Sequence, residues 1–214
     1  TRQPEDNNMA KPKNAQASSK NTNAAKKSIR PYPSKTLEEA LKIPQAIREK
    51  NNGNPWAVKY VAQAAYGIKP SNNRFFYLAA AARDYGFTIG TRYTEKIELA
   101  PLGREIVFAG DETIRKQKLI ESFFSVDLFK RVYEHYGSAN LPEREFLSNT
   151  LQSNFGLASE FHDEFAGIFM ANCKLLGIDK GLSPGFKIPE TAKVEHPSDI
   201  RVVGEPKGKF DRTA

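Results

Sequence analysis

The hydrophobic period of this chain switches from helical to alternating at Gly86, and that switch narrows what it can fold into. Upstream, in "SNNRFFYLAAAARDYG" (residues 71–86), Phe75, Leu78, Ala79, Ala82 and Tyr85 recur at the spacing of one helix face. Downstream, "FTIGTRYTEKIEL" (residues 87–99) alternates: Phe87 and Ile89 answer Ile97 and Leu99 across a turn rich in Gly, Thr and Arg. The spacing predicts a helix over about 72–85, N-capped by Ser71 and closed by Gly86, feeding a β-hairpin.

Two helices are predicted before it. In "SKTLEEALKIPQAIREKNNGN" Leu37, Leu41 and Ile47 form an apolar stripe, and Glu38 and Glu39 suit the positive end of the helix dipole. Pro44 is expected to bend or split this helix, and "NNGN" to end it. Asn54 then caps a second helix with Pro55 at its first position, Trp56, Tyr60, Val61 and Ala64 facing inward, and Gly67 as its stop. A short helix follows the hairpin in "APLGREIVFAG", with Pro101 near its start. Three helices and a hairpin, with a short turn between the second and third helices, give the order of a winged helix-turn-helix over residues 36–110.

A second block, residues 111–181, echoes the first. Phe155-Gly156-Leu157 parallels Tyr66-Gly67-Ile68, and Gly177-Ile178 parallels Gly86-Phe87. Helices are expected around 112–124, from Val126 to Tyr136, and from Pro142 to Phe155 with Phe146, Leu147, Thr150 and Leu151 inward. A further helix over 159–176 would be the counterpart of 72–85. The fold class is therefore mainly α with small β-hairpin wings, a tandem of winged helix-turn-helix units whose second member is degenerate.

Residues 1–34 hold few large apolar groups and read as a disordered basic tail. Within them "MAKPKNAQ", from Met9, reads as an initiation site with the preceding residues upstream of it. Residues 182–214, with several prolines and a possible strand at Ile200 to Val203, read as a linker. No run approaches the ~18 apolar residues of a membrane span. The lone Cys173 has no partner for a disulfide, and a cytoplasmic setting is expected.

Charge separates the blocks. Residues 1–35 carry eight Lys/Arg against two acids and residues 36–110 carry ten against seven, whereas residues 111–181 carry eight against eleven. A polyanion would meet the first half of the chain. On the predicted 72–85 helix, Asn72, Asn73, Arg74 and Tyr77 face outward, with Ala80, Ala81 and Asp84 farther along. Asn73 suits adenine, Arg74 guanine or phosphate, and Tyr77 a sugar–phosphate edge. In the wing, Thr91, Arg92 and Lys96 would clasp phosphate. Lys11, Lys13, Lys20, Lys26, Lys27 and Arg30 of the tail would add salt-sensitive affinity. Glu160, Asp163 and Glu164 crowd the start of the second-block helix and would repel phosphate there.

Catalysis is not expected. His135, His162 and His196 lack metal-ligand spacing, Cys173 has no adjacent base, and "GEPKGKF" lacks the spacing of a phosphate loop. No cofactor is called for. Polar residues after a helix cap are also what helix starts ordinarily need, and small residues such as Ala80 and Ala81 equally admit another helix. Nucleic acid, DNA foremost, and a protein partner or second copy both remain open.

The segments "GIKPSNNRFFYLAAAARDYGFTIG", "IELAPLGREI" and "LFKRVYEHYGSANLPEREFLSNTLQSNFG" resemble the N-terminal region of bacterial predicted nucleotide-binding proteins that carry a C-terminal TIR-like domain. The resemblance covers about residues 32–181. It implies a regulatory or sensing module for antiviral defence, controlling an effector that would follow residue 214. Any NAD-cleaving activity would belong to that effector.

Overall fold

Thr36 opens the first helix with a reciprocal cap. Its hydroxyl accepts from the Glu39 N–H at 3.2 Å while the Glu39 carboxylate accepts from the Thr36 N–H at 3.4 Å. In the computed structural model, which describes residues 30–136, 141–182 and 188, helix α1 runs unbroken from Leu37 to Asn51. Pro44 neither splits nor ends it. The face carrying Leu37, Ala40, Leu41, Ile43 and Ile47 is buried along its length, and that packing outweighs the one backbone hydrogen bond a proline forfeits.

The second helix starts later than its sequence suggests. Trp56 and Ala57 form a short strand, β1, and α2 occupies Val58–Tyr66. Asn54 and Pro55 are thus not its cap and first turn. The backbone of β1 pairs antiparallel with β3 (Lys96–Leu99), Trp56 opposite Ile97. Helix α2 buries Val58, Val61 and Ala62 and leaves Tyr60 and Ala64 exposed, so the expected inward stripe is rotated.

Helix α3 spans Asn73–Asp84 and its expected core face is buried throughout: Phe75, Leu78, Ala79, Ala82, then Tyr85. The cap is Asn72 rather than Ser71; its side-chain oxygen accepts from the Arg74 N–H at 2.8 Å. Ala81 is fully buried, which removes it from the outward face. Strand β2 (Thr88–Ile89) pairs with β3 and completes a sheet of order β1-β3-β2. Here Thr88 lies inward opposite Leu99, and Ile89, expected in the core, is exposed.

Helices α4 (Pro101–Val107), α5 (Glu112–Ser125), α6 (Asp127–His135), α7 (Arg144–Phe155) and α8 (His162–Leu176) follow, with a 3-10 turn at Ser159–Phe161 before α8. Among the described residues the second block adds no strand. The sequence echo is real at helix ends: Gly67 and Gly156 both close their helices in the left-handed region, at φ 67° and 62°. The next residues, Ile68 and Leu157, donate back to Ala62 and Leu151. Phe146, expected inward, is 64% exposed, and Leu147 and Leu151 carry the buried face of α7.

One continuous cluster of buried side chains runs from Tyr32 to Ile178 through both blocks. Polar links cross it. Asn172 of α8 is fully buried; its side-chain oxygen accepts from the Leu37 N–H at 2.8 Å and its amide donates to the Tyr85 hydroxyl at 2.9 Å. That hydroxyl donates to the Lys35 carbonyl, and Ser122 donates to the Tyr85 carbonyl. Order also begins earlier than composition suggests. Tyr32 is buried against Phe129, Phe161 and Phe165, and Arg30 pairs with Glu164 at 2.9 Å. Arg30 is therefore not a tail cation; the other tail lysines and the linker strand lie outside the described residues. No helix of the described residues is long and apolar enough to cross a membrane.

Burial pushes the Tyr32 and Tyr133 phenols up to about 12, and lifts Tyr66 and Tyr85 further still. A free tyrosine ionises near pH ~10, so the unfolded chain loses these protons first. Stability from these groups is complete below pH ~10 and is lost as pH rises from there toward ~12 and beyond. We expect the buried phenols to ionise only together with loss of helical circular dichroism. Ionisation of all eight tyrosines near their free value, with the helices intact, would contradict this.

Candidate nucleic-acid interface

The loop joining β2 to β3 is tied down by its own hydroxyls. The Thr94 hydroxyl accepts from the Thr91 N–H at 3.1 Å, and the Tyr93 N–H donates to the Thr91 hydroxyl at 3.1 Å. Gly90, at φ 109°, makes the entry to this turn, where a side chain would meet the Lys96 carbonyl. Thr91 is thus first a turn-forming residue.

The closed loop lies against the start of α3. The Arg92 guanidinium is 4.7 Å from the centroids of both the Phe76 and the Tyr93 rings. It also donates to the Tyr93 hydroxyl and, at 3.5 Å, to the Asn73 side-chain oxygen. Asn73 and Arg92, singled out separately in the sequence, therefore meet. Arg92 is not a loose phosphate clasp; aromatic and amide partners hold its charge in place. Arg74 and Tyr77 stand exposed beside this cluster, and Tyr77 packs edge-on to Phe76 at 5.2 Å. Asn72 has its side-chain oxygen engaged in the cap. Lys96 lies outward on β3, its ammonium 3.9 Å from Glu95.

The start of α2 also meets this loop. The Val58 N–H donates to the Glu95 carbonyl, and Trp56 stacks on Tyr60 with centroids 6.0 Å apart. Lys59 places its ammonium 4.7 Å from the Tyr60 ring centroid. Two aromatic pairs, Trp56–Tyr60 and Phe76–Tyr93, thus each carry a cation. Tyr60, Phe76, Tyr77 and Tyr93 are 50%, 36%, 43% and 74% exposed.

Sequence reasoning missed Phe76, Tyr93, Lys59 and Tyr60 as surface groups. Two signals were present. Three consecutive aromatics on one helix cannot all face a core at 100° per residue, and Tyr93 sits among polar turn residues with no apolar neighbour. The second-block counterpart differs in chemistry. At the start of α8 Asp163 pairs with Arg144 at 3.2 Å and Glu164 with Arg30, so its acids serve as internal struts.

No family model, curated protein or solved structure matches this chain. Its chemistry is read from these side chains alone.

Proposed function

We propose that residues 36–110 form a winged helix-turn-helix unit that binds nucleic acid, DNA foremost, through the start of α3 and the wing. The helix–strand–helix–helix–strand–strand order and the sheet order β1-β3-β2 support that reading. The observation that carries it is the Arg92 cluster, which joins the wing to the first turn of α3 and presents Asn73, Arg74 and Tyr77 beside a fixed cation. Phosphates supply affinity through the cations and exposed side chains supply discrimination. No catalytic role is proposed for the chain.

A second reading, protein contact that regulates an attached TIR-like effector, draws on the acidic block, where Phe146 and Leu175 are 64% and 46% exposed. Titrating the 214-residue chain with DNA at several salt concentrations, with particle mass measured alongside, separates the two. For nucleic-acid binding, log affinity falls linearly with log salt. Arg74→Ala should reduce that slope by about one unit and leave the melting temperature unchanged, since Arg74 lies off the core face. A rise in mass with no binding would favour the second reading.

A further inference from the structure

The exposed rings around the wing have no evident use if the ligand is only an intact duplex. Within a B-form duplex every base is covered on both faces, and a recognition helix meets base edges. Rings instead suit bases whose faces are open, where stacking and backbone charge act together. From this geometry we infer that the exposed ring cluster Phe76, Tyr77 and Tyr93, together with the Trp56–Tyr60 pair beside β3, takes a single strand of nucleic acid and stacks its unpaired bases. This rests on the nucleic-acid reading above and narrows its ligand.

Three features of the molecule support it. First, the rings belong to two clusters, Trp56–Tyr60 and Phe76–Tyr77–Tyr93, so more than one base can be received. Second, the charge is complementary. Lys59 packs on Tyr60 and Arg92 on Phe76 and Tyr93, and Lys69, Arg74 and Lys96 belong to the same turn, helix start and strand, against the carboxylates of Glu95 and Glu98, of which Glu95 faces Lys96. Third, the platform is already assembled: Phe76 and Tyr93 have centroids 6.3 Å apart and the Arg92 guanidinium packs on both rings, so they need no ordering when a base arrives. Stacking is tolerant of sequence, so selectivity would rest on strandedness.

The test uses the 214-residue chain, a mixed-sequence single strand, the same sequence as a duplex, and the emission of Trp56, the single tryptophan. The inference expects tighter binding to the single strand, with Trp56 emission changed by it. It also expects Tyr93→Ala and Tyr77→Ala each to weaken single-strand binding about tenfold or more. Tyr93→Phe, which keeps the ring, should retain most of the affinity, and circular dichroism checks that the variants are folded. Equal or tighter duplex binding, or tyrosine variants that bind the single strand as the parent does, overturns the stacking inference and leaves the nucleic-acid reading standing. Absence of binding to either form overturns both.

Discussion

Replacing Gly103 with alanine should lower the melting temperature by about 10 °C, on the order of 3 kcal/mol. Gly103 lies in the first turn of α4, two residues after Pro101, and is buried. A methyl group there would overlap the carbonyl oxygen of Phe87 and lie 2.6 Å from its carbon and 2.8 Å from its Cα. These are main-chain atoms, so no rotamer change relieves the clash. Nor can Phe87 retreat. Its N–H donates to the Ala82 carbonyl, its own carbonyl accepts from the Ala100 N–H at 3.0 Å, and its ring is fully buried. Either α4 lifts off the hairpin or the hairpin closure opens. Gly110→Ala is the matched control, because nothing lies within 4 Å of a Cβ there. Parallel thermal melts decide it: equal transitions for the two variants would mean that α4 moves aside freely.

Asn172→Leu should be the most damaging change among the buried polar residues, lowering stability by roughly 2–4 kcal/mol. Leucine has nearly the same size, so packing is conserved while two hydrogen bonds disappear. The Leu37 N–H, one of the unpaired donors at the start of α1, loses its acceptor in a buried site. The Tyr85 hydroxyl loses the amide that donates to it. Tyr85→Phe is expected to be milder, since it strands the Lys35 carbonyl and the Asn172 amide but leaves the helix start satisfied. The double variant should lose less than the sum of the two, because they share one network. Urea unfolding measures all three. An Asn172→Leu variant as stable as the parent would show that water or backbone motion satisfies Leu37.

The parts of this fold that the sequence disclosed are those governed by period and by glycine. Phe75, Leu78 and Ala82 are buried because a long helix repeats its face often enough to average out noise. Gly67, Gly156 and Gly177 end helices because few other residues enter the left-handed region without strain. What escaped depends on partners distant in the chain. Two residues, Trp56 and Ala57, cannot show alternation; only the open edge of β3 makes them a strand. Ala80 and Ala81 are chemically alike, and only the packing around α3 decides that Ala81 is fully buried. Tyr32 was lost in the average of a polar segment, although one aromatic residue suffices to anchor its neighbours on α8. At the site, Asn73, Arg74, Tyr77 and Arg92 were legible as outward polar groups. That Arg92 packs on both Phe76 and Tyr93 was not, because those rings are seventeen residues apart and meet only when the hairpin folds back.

The two ends of α3 differ in freedom. At its far end Tyr85 is gripped through its ring, its hydroxyl and its carbonyl by segments around Lys35, Ser122 and Asn172. At its near end Asn73, Arg74 and Tyr77 stand in solvent. Mechanically α3 is a cantilever clamped into the rest of the molecule. It cannot roll or slide to suit a visitor without dragging α1 and α8 along. The outward side chains of Arg74 and Tyr77 therefore keep the direction that the clamp at Tyr85 gives the helix, and a change far from them, at Lys35, Ser122 or Asn172, would re-aim them.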